Sequence, residues 1–205
     1  MNKLFDIIFK DLKKDKSMYI SLIIVVIISL IFGTLFITIL TDTDKALIKT
    51  QITDFFESIE NRKYVPLLNM KNNILNNNIF AVILWLLGFS IIGIPIIICM
   101  LFYKGFTLSF TVSSLIYAFK GEGILVSIFY IFPHLILNII IYFILTYYSF
   151  LLSIKLLKNL INKEQMRLKH YIKKYLFVLV ITIVILSISA LYETFIIPHI
   201  IKLIY

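Results

Sequence analysis

Residues Ser17 to Leu40 are 24 consecutive positions without a charged side chain. A hydrocarbon core of about 30 Å is crossed by about 20 apolar residues in a helix. The run follows a short basic segment, which raises the alternative of a cleaved signal peptide. It is too long for a signal h-region, and Thr38-Ile39-Leu40-Thr41 offers no small-residue cleavage site. We therefore read it as a retained first span.

Four further apolar runs follow. The second, 79–103, ends at Lys104-Gly105, and the third, 106–119, has only 14 residues, roughly 21 Å of helix. Lys120-Gly121-Glu122-Gly123 marks a turn between the third and fourth runs. The fourth, 124–154, is 31 residues or roughly 46 Å, and Pro133 predicts a kink within it. The fifth, 175–192, ends at Glu193. The chain is 60% hydrophobic and 15% charged, whereas a wetted soluble domain carries roughly 25% charge. The fold class is thus an all-α integral membrane protein, one polytopic domain over 1–205. A single cysteine, Cys99, excludes an internal disulfide framework and a Cys-based zinc site.

Charge bias sets the span number and orientation, because short cytoplasmic loops accumulate Lys and Arg. Five crossings with the N-terminus inside place 13 basic residues in the cytoplasm and 7 outside. Four crossings invert the bias, with 8 inside and 12 outside. The expectation is a five-helix bundle, N-terminus in and C-terminus out. The net charge of +9 then lies on the cytoplasmic side and needs no nucleic-acid partner. The basic residues also lie between apolar runs and form no stripe with interleaved aromatics.

Two segments lie outside the bilayer on this reading. In the outer loop, 41–78, an amphipathic helix runs from Asp44, the expected N-cap, to Glu60. Ile48, Ile52, Phe55 and Ile59 recur at helical spacing, widened by Leu47 and Phe56. The stripe packs on the bilayer surface or neighbouring loops, or docks a partner protein. Asn72 to Asn78 reads as a polar lead-in to the second span. The connector 155–174 holds seven basic residues and one acid, and attraction to anionic lipid explains them. A regulatory loop is the alternative.

Polar residues within the runs are few. His134 and Asn138, four apart, share a helical face. They form either an interhelical hydrogen-bonding pair at the Pro133 kink or a proton or substrate relay. Glu193 falls at the outer interface. Gly88, Gly93, Pro95 and Gly105, ahead of Ser109, Thr111, Ser113 and Ser114, predict close packing of spans two and three. No catalytic constellation, metal-ligand spacing or phosphate-binding glycine loop is present, so no enzyme activity and no cofactor is expected. A transporter site built from backbone and neutral polar groups stays open.

The chain resembles the stage II sporulation protein M family. The resemblance rests on Gly88-Phe89-Ser90-Ile91-Ile92-Gly93-Ile94-Pro95, on Lys104-Gly105-Phe106 with Phe110-Thr111, and on Glu193 followed by Pro198. Motif order and five-span layout agree along nearly the whole chain. The resemblance implies a role in endospore formation, in the mother-cell membrane as it migrates around the forespore. It further implies a scaffold that breaks no bond itself and recruits two cell-wall hydrolases, sporulation proteins D and P. One is a lytic transglycosylase, the other an amidase and endopeptidase, and together they thin septal peptidoglycan. Some wider relatives carry Pro-His-Gly-x-x-Glu in span four. Here Leu135 follows Pro133-His134, and Asn138 stands where the Glu would be. The lipid bilayer is the second partner, and self-association is left open. A permease subunit of a transporter is the alternative function.

Overall fold

The computed structural model describes residues 16–61, 65–127, 132–162, 168–196 and 198. Among the described residues there are helices and no strands. They are α1 (Lys16–Ile39), α2 (Asp42–Glu60), α3 (Pro66–Leu87), α4 (Gly93–Val126), α5 (Phe132–Asn162) and α6 (Leu168–Leu191). A π turn, Tyr192–Ile196, follows α6. The stretches Lys16–Ile39, Gly93–Gly121, His134–Ile161 and Tyr171–Ile196 are each long and apolar enough to cross a membrane. α3 has 22 residues, roughly 33 Å, but its first half is rich in asparagine.

The first span lies where the apolar run places it. Its inward stripe is narrow: Leu22, Ser29, Gly33 and Ile37 are buried, while Ile24, Ile28, Ile31 and Leu35 point outward. An all-round apolar surface of this kind suits lipid. α2 begins two residues earlier than expected. Thr41, rather than Asp44, is the N-cap, accepting from the Asp44 N–H at 3.3 Å. The Thr41 hydroxyl also donates to Asp44 Oδ2 at 2.6 Å, joining the cap side chain to a carboxylate in the first turn.

The boundaries of the second and third spans differ from the sequence reading. Residues 79–103 are not one helix, because the chain breaks at Gly88–Ile92 and begins α4 at Gly93. Lys104-Gly105 is no boundary at all but lies inside α4. The short third run and half of the second are therefore one 29-residue helical stretch, and Asn72 to Asn78 belongs to α3. The reason is tertiary. The turn after α3 is held by backbone bonds from Gly88 N to Trp85 O and from Ser90 N to Leu87 O. Ser153 of α5 donates to the Gly88 and Ser90 carbonyls at 3.0 and 3.1 Å. These carbonyls would otherwise be orphans at a helix end in an apolar medium. A Cβ at Gly88 would strike the Tyr175 hydroxyl, and one at Gly93 the Leu87 carbonyl.

The turn expected at Lys120 to Gly123 is present and centres on Lys120, with φ 50° and ψ −120°. The chain then folds back, bringing Gly123 against the Leu115 carbonyl. The kink expected at Pro133 falls at the edge of the described part of α5, next to residues 128–131, and lies outside the described residues. Residues 128–131 and 163–167 lie outside the described residues, the latter within the predicted 155–174 connector.

Close packing involves a different pair of helices from the one expected. α1 and α4 run parallel, with Phe36 edge-on to Phe106 and Phe110. Ser29 and Gly33 on α1 face Gly105 and Ser109 on α4, each pair four residues apart. Small residues at this spacing let two backbones approach closely in lipid. Between α3, α5 and α6 the core is filled by Leu84, Tyr142, Leu145, Tyr147, Tyr175 and Leu186.

Candidate functional site

Continuity of α4 through Lys104 carries that side chain into the interior of the helical bundle. It is half-buried and donates to Asn77 Oδ1 of α3 at 3.2 Å. Its Nζ also lies 4.3 Å from the Phe80 ring centroid and 4.6 Å from that of Tyr142. Cation–π contact of this kind strengthens when the cation is desolvated. Tyr142 of α5 donates to the Asn77 carbonyl at 2.9 Å, so one asparagine ties α3 to both α4 and α5.

The opposite charge comes from the π turn. Glu193 lines the same cavity, with the Asn73 side chain, one helical turn from Asn77, as its hydrogen-bonding neighbour. An intramembrane lysine is costly unless it is paired or solvated, and here a carboxylate faces it across a polar space. Asn78 donates to Ser187 Oγ at 3.3 Å, tying α3 to α6 as well. The cavity measures about 240 Å³. Thr107 and Thr111 of α4, with His134 and Asn138 of α5, complete its polar wall.

The predicted residues fall into four groups. Lys104, Thr111, His134, Asn138 and Glu193 converge on this cavity. His134 also lies beside the Tyr192 ring, at 6.3 Å, and its carbonyl accepts from Ser189 at 3.5 Å. Gly105, Phe106 and Phe110 belong to the α1–α4 seam. Gly88 and Gly93 shape the α3–α4 turn, Pro95 is exposed in the first turn of α4, and Pro198 is buried just beyond the π turn. The α2 stripe turns inward. Ile59 is 1% exposed and packs with Phe56 against Leu115, with Ile52 and Tyr192 alongside. Ile48 is half-buried and Phe55 stays 45% exposed at the edge. The stripe is thus chiefly the face by which α2 holds the end of the bundle next to Glu193.

Sequence reading missed Asn73, Asn77, Thr107 and Tyr142. The signal was present in part: Asn73 and Asn77 are four apart and share a face once that segment is read as helix. Among the described residues no group of His, Cys, Asp and Glu has the geometry to hold a metal ion.

These features define a class: a polytopic α-helical membrane protein with a charged, hydrogen-bonded cavity inside its bundle. Within that class the chain belongs to the family described as SpoIIM, stage II sporulation protein M, whose match covers residues 22–198. It is therefore a sporulation-related, multi-pass membrane protein. No curated protein and no solved structure matches the chain.

Proposed function

We propose that this protein is a non-enzymatic scaffold of the mother-cell membrane that gathers cell-wall hydrolases, sporulation proteins D and P, during engulfment. In this reading α3 is a fifth crossing, the N-terminus is inside, and the C-terminus is outside. The family match supports the cellular setting. The observation that carries the scaffold reading is the seating of α2. One face is anchored on the bundle through Phe56 and Ile59, leaving Asp44, Leu47, Asp54 and Glu57 exposed on the rest of the helix. An anchored helix presents its outer face without further ordering cost, which favours its use as a docking surface. The docking residues are therefore Leu47, Phe55 and the acidic positions around them, rather than the buried Ile59.

Purification in mild detergent from sporulating cells tests this. Leu47→Ser with Phe55→Ser is expected to release the hydrolases while the chain still inserts. Undiminished hydrolase in the variant's eluate sinks the assignment. Single cysteines at Asn61 and Lys158, with Cys99 replaced, test the topology: an impermeant reagent applied outside should label only the first.

The cavity favours a second reading, a permease subunit, because Lys104, His134, Asn138 and Glu193 line one polar space. That reading requires cysteines along α5 to be reached by aqueous reagent from both sides. Access from one side alone rules it out.

A further inference from the structure

α1 packs chiefly on α4, and α6 on α3 and α5, so α1 and α6 stand apart as two walls with α5 between them. The groove they enclose measures about 520 Å³. Tyr19, Ile23 and Ile27 line one wall, Val178, Ile181 and Ile185 the other, and Ile140 and Ile144 the floor. Tyr19 to Ile27 rises about 12 Å along α1, close to the ~15 Å of hydrocarbon that one lipid leaflet contributes.

The lining favours a hydrocarbon chain over a helix. Among the described residues that line the groove there is no Gly, Ala, Ser or Thr. Helices that seat against each other in lipid need such small residues, as Gly33 and Ser109 supply at the α1–α4 seam. A narrow, flexible acyl chain needs none.

One end of the groove carries charge. Tyr19 lies against Phe143, while Gly105, which faces Ser29, also lies beside Ile139, so α1 runs antiparallel to α5. α6 does the same, with Tyr175 against Ser149 and Ser189 against the His134 carbonyl. α1 and α6 therefore begin at the same end of the groove, whichever side of the membrane that is. Lys16 precedes Tyr19 by three residues and Lys174 precedes Val178 by four, so each continues the face of its own wall. Lys16 is exposed. Lys174 is half-buried, with its Nζ 5.5 Å from the ring of Tyr148, which lies one turn beyond Ile144 on the floor. A lysine from each wall thus marks the end at which the headgroup of a seated lipid lies.

We propose that this groove holds one acyl chain of an anionic phospholipid, with the headgroup phosphate at Lys16 and Lys174. A choline lipid brings the same phosphate with a cation attached, which the two lysines repel, so the anionic lipid is selected. The site is independent of the scaffold reading. It is also more specific than a general attraction of basic loops for lipid, because one groove seats one chain.

The test uses the full chain in nanodiscs holding equal amounts of phosphatidylglycerol and phosphatidylcholine, with retained lipid read by native mass spectrometry. One phosphatidylglycerol per chain is expected, favoured roughly thirtyfold by attraction to two lysines. Equal retention of the two lipids by the wild-type chain overturns the proposal without any variant. Lys16→Gln with Lys174→Gln is expected to remove the preference, whereas Lys158→Gln with Lys173→Gln, both exposed, should keep it. Equal loss in the two pairs means diffuse attraction and overturns the site. Ile140 is 51% exposed, so Ile140→Trp fills the groove without asking the core to yield. That variant is expected to release the lipid, and undiminished retention overturns the seating of the chain. A disulfide-linked dimer through Ile140→Cys, with Cys99 replaced, would put a second copy in the groove and overturn lipid as its occupant.

Discussion

Replacing Gly33 by alanine adds one methyl group at the most crowded point of the α1–α4 seam. A Cβ there would collide with Ser109 Oγ and with the Phe106 carbonyl oxygen. The hydroxyl can rotate away, but the carbonyl is helix backbone, so the two helices must separate. Overpacking of this kind costs about 1–3 kcal/mol, and alanine recovers about 1 kcal/mol of helix propensity over glycine. The expected net loss is about 0–2 kcal/mol, centred on about 1 kcal/mol or roughly a fivefold shift in the folding equilibrium. Gly105→Ala meets only the Ser29 side chain and an Ile139 methyl, so its loss should be smaller. Gly121→Ala meets nothing within 4 Å and should be neutral or slightly stabilising. Reversible unfolding in mixed micelles, read by circular dichroism, ranks the three variants. A Gly33→Ala chain as stable as Gly121→Ala would refute the close-packed seam.

Ile59→Ala should cost about 2–4 kcal/mol, since the side chain is buried and the end of the bundle cannot collapse fully into the gap. Faster protease cleavage within α2 is the readout. Tyr175→Phe removes the hydroxyl that donates to the Trp85 carbonyl and bonds Ser149 at 2.8 Å. It should cost about 1 kcal/mol, the net worth of one hydrogen bond, because the Trp85 carbonyl keeps the Gly88 N–H; thermal midpoints in detergent check this. Lys120→Gly should stabilise the chain by about 1 kcal/mol, since φ 50° with ψ −120° suits glycine. An unchanged or lower midpoint would exclude strain at that turn.

The relation between sequence and site is clearest in α4. Hydropathy sees a lysine followed by a glycine and predicts a boundary, because a lone charge in lipid is expensive. It cannot see that Asn77, the Phe80 and Tyr142 rings and Glu193 arrive from three other segments to receive that charge. The same limit applies to Asn72 to Asn78, which reads as loop because its asparagines have no local partners. In the folded chain Asn73, Asn77 and Asn78 face Glu193, Lys104 and Ser187. His134 and Asn138 were legible as a face, since helical spacing is local, but the cavity they line was not.

By itself the sequence determined the membrane class, the first span, the amphipathic character of α2 and the family. Each depends on runs of apolar residues or on residue order along the chain. Tertiary structure alone decided where the second span ends, which helices touch most closely and what the buried charges face. Ser153 stabilises the break after Leu87, Gly33 and Gly105 bring α1 onto α4, and the π turn brings Glu193 to the cavity wall. Hydrophobicity is a property of each residue, whereas satisfaction of a polar group depends on atoms brought together from distant positions.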